Sequence, residues 1–268
     1  MGGMTGWGAL IIGDEILRGK RQDKHFARLV EVLAARGLHL DWTLYLGDDR
    51  ERLTQTLRRT LAGGDVVFSF GGIGVTPDDH TRQAVAAAAN VPLKLHAEAE
   101  AEIRARFAAT GAEVTPQRLQ LGEFPLGSRI VPNPFNRIPG FSLGHHHFFP
   151  GFPQMAWPML EWVLDNQYRE YFFAQAEDEQ SIIVWEGQEG AMLDLMRHIE
   201  KTYPLASLFS LPSFGSAGMR RHIEFGMRGE PGQVAAAMAE IKDGVTKLGF
   251  AWEAKSTTRT TPAVSDSQ

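Results

Sequence analysis

Cysteine is absent from the 268 residues, which excludes disulfides and thiolate metal sites. No run approaches the roughly 18 apolar residues of a membrane span, so none is expected. Positive charge is not in surplus either: the formal net charge is −5, which gives no support for nucleic-acid or anionic-membrane binding. The opening residues carry no basic-then-apolar leader, Ala9–Ile12 being far too short for one, so a cytoplasmic location is expected. Two phosphate-binding motifs are also missing. No Lys-Ser or Lys-Thr follows the glycines at 71–74, so there is no Walker A loop. Gly72-Ile73-Gly74 runs into Val75-Thr76-Pro77, without the third glycine of the dinucleotide fingerprint.

The most informative stretch that is present is 65–82. Val66 to Phe70 reads as a buried strand, and it stops at Gly71-Gly72-Ile73-Gly74. A helix start is expected next, with Thr76 at the N-cap, Pro77 at N1 and Asp79 three residues after the cap. A strand, a glycine turn and a helix N-terminus form an anion cradle, because free N–H groups and the helix dipole point at the turn. Asp78 and Asp79 complicate that picture. At about 4 Å each like-charge pair costs roughly 1 kcal/mol in water and about 4 kcal/mol at an effective dielectric near 20. A divalent cation removes the conflict, since Mg²⁺ takes one or two carboxylates and completes its shell with phosphate and water. The residues alone leave two readings open: a Mg²⁺–phosphate site, or two acids seated in the first turn of a helix.

Strand and helix signals alternate along the first half. Ala9–Ile12 is a strand ending in Gly13-Asp14-Glu15, and a helix is expected over 23–36 with Phe26, Leu29, Val30 and Leu33 on its core face. Leu38 to Leu46 alternates as a strand, Leu53, Leu57 and Leu61 mark a second helix, and the strand at 66–70 follows. This order predicts a three-layer α/β/α arrangement around a mostly parallel sheet, with ligands beyond the carboxyl ends of the strands. Helices are expected at 97–109, 116–121 and 154–168, with a strand at 128–131. Past Glu177-Asp178-Glu179 the order becomes βαββαβ, the ferredoxin-like arrangement. The expected boundary lies near residue 175, giving domains at 1–172 and 176–254 and a disordered tail at 255–268.

Gly13-Asp14-Glu15-Ile16-Leu17-Arg18-Gly19 with Asp23 resembles the first motif of the MoaB/Mog-type molybdopterin-binding domain, closest to the version in the CinA (competence/damage-inducible protein A) family. Gly71, Gly72 and Gly74 with Thr76, Asp78, Asp79 and Thr81 resemble its second motif, and Pro150-Gly151-Phe152-Pro153 its third. The resemblance covers roughly 7–165 and implies a polar pocket at the strand ends. Relatives adenylylate molybdopterin with Mg-ATP, or are linked to metal-dependent cleavage of ADP-ribose or FAD. It implies catalytic roles for Asp14, Glu15 and Asp23, ligand contacts from Gly13, the second-motif glycines, Thr76, Thr81, Pro150 and Gly151, and metal contacts from Asp78 and Asp79. Val75 stands where the family usually has proline, and His25 where asparagine is common.

Three other features carry less. His145-His146-His147 on an extended segment cannot easily chelate one ion, because neighbours point to opposite faces. Arg220-Arg221-His222 reads as a solvated strand start, and Phe148, Phe149, Phe152 and Trp157 as core. Three functions follow as expectations. The first is a Mg²⁺-dependent enzyme acting on a pyrophosphate-bearing nucleotide or pterin. The second is a non-catalytic binding protein for such a ligand, and the third an interaction protein with a vestigial pocket. A small-molecule ligand, no nucleic-acid partner and a homo-oligomer are expected.

Overall fold

The computed structural model describes residues 6–174, 176–215 and 220–255. It separates into two compact units, Met1–Phe172 and Phe173–Gln268. Residues 256–268, nearly all of the expected tail, lie outside the described residues.

The first unit is built on a six-stranded sheet. Its elements begin with β1 (Trp7–Ile12), α1 (Asp14–Leu17), α2 (His25–Ala34), β2 (Trp42–Leu46), α3 (Arg50–Leu61), β3 (Val66–Phe70) and α4 (Thr81–Ala89). They continue with β4 (Leu93–Leu95), α5 (Ala97–Ala109), α6 (Pro116–Leu119), β5 (Glu123–Pro125), β6 (Arg129–Val131), β7 (Gly140–Leu143), β8 (His146–Phe149) and α7 (Pro153–Gln167). The strand order is β2-β1-β3-β8-β7-β6, and β4 pairs with β5 in a separate two-stranded sheet. β2, β1, β3 and β8 run parallel, while β7 is antiparallel to both its neighbours. The sheet is thus mostly parallel, as its alternating pattern implies.

Successive residues of β1 divide between two cores, which is the period-2 alternation of a strand buried on both faces. Trp7, Ala9 and Ile11 meet Leu29 and Leu33 of α2 and Met159, Leu160 and Val163 of α7. Leu10 and Ile12 meet Leu53 and Leu57 of α3 and Ala84 and Val85 of α4. Two expected core faces are corrected. In α2 the buried positions are His25, Leu29, Val32 and Leu33, whereas Phe26 and Val30 are exposed. The helix is rotated so that the imidazole, not the phenyl ring, faces the sheet. Phe148 and Phe149 are fully buried, but Phe152 stands out of the core at 52% exposure, because it follows the end of β8 into a surface turn.

The expected helix start at Thr76 is also corrected. The chain from Gly71 to His80 is irregular, and α4 begins only at Thr81, with His80 at its N-cap. Asp79 instead closes a small turn, accepting from the Thr76 N–H at 2.8 Å and from its hydroxyl at 2.5 Å. The capping chemistry is real, but it caps a turn.

The second unit comprises β9 (Asp178–Trp185), α8 (Glu189–Thr202), β10 (Ala206–Ser213), β11 (His222–Gly229), α9 (Pro231–Lys247) and β12 (Trp252–Ala254). Its sheet order is β10-β11-β9-β12, with each neighbouring pair antiparallel. That is the ferredoxin-like order, and its core (Ile182, Val184, Phe225, Met227, Val234, Ile241) is its own. The last strand, Trp252–Ala254, follows Gly249, which turns the chain at φ +82°. Among the described residues, no helix is long and apolar enough to cross a membrane.

Candidate functional site

The chain ends of the parallel strands converge at one edge of the first unit. Gly13 follows β1, Gly47 follows β2, Gly71 follows β3 and Pro150 follows β8. The Gly13 N–H donates to the Leu46 carbonyl, and the Gly71 N–H to that of Phe149, both at 3.0 Å. Chain order reverses across β1 and β3, and such a switch point opens a crevice beyond the carboxyl ends of the strands. Two cavities lie there. One, of about 410 Å³, is walled by Gly72–Thr76, Asp79, Pro150–Phe152 and the apolar side chains of Leu121, Ile138 and Met155. The other, of about 640 Å³, is walled by Glu15, Arg21, Asp23, Lys24, His25 and Trp157. Gly151 and Phe152 belong to both walls.

The glycine turn forms part of the wall of the first cavity. Gly71 and Gly72 sit at φ +105° and +68°, a left-handed backbone that favours glycine. Thr81, fully buried, donates its hydroxyl to the Gly71 carbonyl at 3.1 Å and its N–H to the Gly72 carbonyl at 3.0 Å. With the carbonyls held from the α4 side, the N–H groups of Gly72, Ile73, Gly74 and Val75 find no acceptor among the described residues. Successive N–H groups without an acceptor are the donor set from which backbone anion sites are built.

The acidic residues divide by what already engages them. Asp23 accepts from the N–H groups of His25 and Phe26 at 2.8 and 3.1 Å, and from the Tyr45 hydroxyl at 2.8 Å. It therefore caps the start of α2 while lining the second cavity. Burial, then the hydrogen bond to Asp23, pushes the Tyr45 hydroxyl up to about 12. Asp14 pairs with Arg18 at 2.6 Å; its N–H donates to the Asp48 carboxylate and its own carboxylate accepts from the Asp48 N–H. Glu15 lines the second cavity, and its carboxylate accepts no hydrogen bond among the described residues. Asp48 was not singled out by its sequence, where Gly47-Asp48-Asp49 reads as a strand break. Burial pushes its carboxyl up, the Asp14 N–H draws it down, and the charges of Asp14, Glu15 and Asp78 raise it further. The ends of β1, β2 and β3 thus share one negative field.

The motif residues are not all in the walls. Gly72, Gly74, Thr76, Asp79, Pro150 and Gly151 line the first cavity, Glu15, Asp23 and Gly151 the second. Gly13, Asp14, Gly71, Asp78 and Thr81 line neither. Thr81 and Gly71 shape the turn from behind, and Asp78 is exposed at its rim. Asp79 leaves Oδ1 unengaged, since both of its bonds from Thr76 go to Oδ2. Among the described residues, no group of three or more His, Cys, Asp or Glu is placed to hold a metal ion. His25 and Arg82 carry no recognisable spacing signal. Each looks like an ordinary helix residue until the fold buries it.

A doubly wound α/β domain with its cleft at the switch point defines the broad class. The chain belongs to the family described as probable molybdopterin binding domain, whose profile matches residues 8–170. A CinA-like protein from Anaeromyxobacter sp. (strain Fw109-5) is 36% identical over 148 residues, 54% of this chain and 36% of that protein. A CinA-like protein from Syntrophotalea carbinolica is 32% identical over 178 residues, covering 65% and 43%. The chain thus spans less than half the length of these curated relatives. Among solved structures, the protein CinA of unknown function from Thermoplasma acidophilum is 26% identical, with a TM-score of 0.54 over 61% of this chain and 98% of that one.

Proposed function

We propose that the cleft binds a pyrophosphate-bearing nucleotide of the ADP-ribose kind, or a pterin, together with Mg²⁺, and acts on the pyrophosphate bond. The observation that carries this reading is the run of four unengaged N–H groups from Gly72 to Val75 on the wall of the 410 Å³ cavity. The largely apolar remainder of that wall suits a planar heterocycle. The protein offers few carboxylates for a metal, which fits Mg²⁺, an ion that draws most of its shell from phosphate and water. Asp79 through Oδ1, with Asp78, would hold it. Bound there, it would neutralise the phosphates and polarise phosphorus.

The chain's own groups then divide the work. The glycine N–H groups bind phosphate oxygens. Asp23, with both oxygens already accepting, holds the start of α2. Asp14 is similarly engaged by Arg18. Glu15 is the carboxylate left to orient a water. A second reading, binding without turnover, is favoured by the same fact: two of the three carboxylates expected to act on water are committed to structural bonds.

Incubation with ADP-ribose, with and without Mg²⁺, tests both. Mg²⁺-dependent appearance of AMP and ribose 5-phosphate supports the enzyme. Calorimetric binding without cleavage supports the second reading. No binding of ADP-ribose or of a pterin overturns both and leaves the interaction role.

A further inference from the structure

Arg82, the second residue of α4, is only 3% exposed. It makes no ion pair among the described residues and donates only to carbonyls: Nη2 to Gly74 at 2.5 Å, and Nη1 to Glu123 at 3.2 Å and to Gln120. Its Nε has no acceptor. A buried guanidinium without a carboxylate is costly to keep in a fold. The three carbonyl dipoles solvate the charge without neutralising it. Its field therefore persists, and it is stronger in the protein interior than in water.

The position of that charge matters. Arg82 holds the Gly74 carbonyl while its neighbour Thr81 holds those of Gly71 and Gly72. Three carbonyls of the turn are thus engaged from α4. The N–H groups left free, Gly72 to Val75, belong to residues on the cavity wall. The guanidinium is thus one hydrogen bond away from the turn that carries these donors. Glu123 and Asp79 are the acids whose charges act on the guanidinium, from beyond hydrogen-bond range.

We propose that Arg82 is a positioning residue for a phosphoryl group at the glycine turn: it fixes the Gly74 carbonyl out of the way and supplies unneutralised positive charge behind the four free N–H groups. The proposal rests on reading the cleft as a phosphate site. It adds a residue that acts through the turn without touching the ligand. It also explains how a turn flanked by Asp78 and Asp79 can attract an anion at all.

Inorganic pyrophosphate is the probe, titrated calorimetrically into the full chain at low salt with and without Mg²⁺, alongside uncharged adenosine as a control. Arg82→Met keeps the length and removes the charge; its pyrophosphate affinity should fall about tenfold or more, with adenosine affinity unchanged. Arg82→Lys should recover part of the loss, since the charge remains while the fork is gone. Glu123→Gln removes a negative charge that acts on the guanidinium; it should tighten pyrophosphate by about twofold in the wild type and by less in the Arg82→Met background, a coupling that a direct effect of Glu123 on the anion would not produce. A folded Arg82→Met protein that binds pyrophosphate as the wild type does overturns the proposal. Where Arg82→Met does not fold, Arg82→Gln takes its place, and a folded Arg82→Gln protein with wild-type pyrophosphate affinity overturns it. Failure of the wild type to bind pyrophosphate in either condition removes the phosphate reading of the cleft, and this inference with it.

Discussion

His25 and Gly151, 126 positions apart, meet at the seam between the two cavities: the imidazole Nε2 lies 3.1 Å from the Gly151 carbonyl. A carbonyl only accepts, so Nε2 carries the proton and Nδ1, buried without a partner, is bare. The ring stacks on Phe70 with centroids 4.5 Å apart. Burial draws its pKa down, against the Gly151 bond and the Asp23 charge. His25→Ala would unfasten the turn that both cavities share. Stability should fall by about 2 kcal/mol and pyrophosphate affinity severalfold, read from denaturant melts and calorimetry. An unchanged affinity would show that the Gly151 wall is not part of the ligand site.

Gly72 has no room for a side chain. At φ +68°, a Cβ there would run into the Thr81 hydroxyl, which is engaged with Gly71. Gly72→Val should lower ligand affinity at least tenfold, about 1.4 kcal/mol, and also destabilise the unit. Gly19, at φ +67° with nothing near its Cβ position, is the control for backbone strain alone. If Gly19→Val and Gly72→Val lose the same stability and Gly72→Val binds normally, the turn does not hold the ligand.

The two aspartates of the turn should separate cleanly. Asp79 holds Thr76 by two bonds, so Asp79→Asn should cost on the order of 1 kcal/mol of stability as well as Mg²⁺ response. Asp78 is exposed, and the Thr76 hydroxyl and its own backbone N–H draw its carboxyl below the usual range, so Asp78→Asn should cost less stability than Asp79→Asn and show mainly in the metal response. Thermal melts and Mg²⁺ titrations of the two single variants check this. A loss of stability in Asp78→Asn alone would reverse the assignment.

The parallel sheet, the two-unit order and most element boundaries were legible because their signals are local. β3 at Val66–Phe70 is a continuous apolar run between glycines and polar residues, and it appears at those residues. α5 likewise occupies 97–109 as its pattern indicates. What was not legible depends on neighbours distant in sequence. The rotation of α2, which buries His25 and exposes Phe26, is set by packing on Phe70. Arg82 sits in a helix turn where an arginine ordinarily faces water, and only the carbonyls of Gln120 and Glu123 reveal its burial. Thr76-Pro77-Asp78-Asp79 satisfies the rules for a helix start, yet the same Asp79 carboxylate can close a turn, and nothing local chooses between them.

Acid should weaken the first unit through its buried histidines. His146 is 2% exposed, its Nε2 has no partner, and burial, then the neighbouring His145, draws its pKa from 6.5 to about 4. Burial also draws His147 well below its ordinary value, in a chain from the Ser142 hydroxyl to Tyr168. A histidine whose folded pKa is depressed binds its proton more readily when unfolded. Stability is therefore full above about pH 6.5 and is lost as the pH falls toward 4, on the order of 3 kcal/mol for His146. His146→Phe removes that titration and should flatten the acid limb of a stability–pH curve. Superimposable limbs for variant and wild type would show that His146 is not protonated on unfolding in this range.

The separate cores predict that the two units fold independently. The clusters around β1 and β3 contain no residue beyond Phe172, and the cluster around β9 none before Ile182. A fragment of residues 1–172 should therefore give a cooperative melt by itself and keep the pyrophosphate affinity of the full chain, since every wall residue of both cavities lies before residue 158. The complementary fragment, residues 173–268, is within the size at which small domains fold alone. Its Trp185 and Trp252 provide fluorescence signals for that melt. Sedimentation of the full chain and of both fragments reports which unit, if either, carries self-association. If residues 173–268 bring two copies together, the 1–172 fragment should sediment as a monomer and still bind pyrophosphate. A 1–172 fragment that folds but has lost its affinity would instead mean that the ferredoxin-like unit contributes to the site, and the cavity walls described above would then be incomplete.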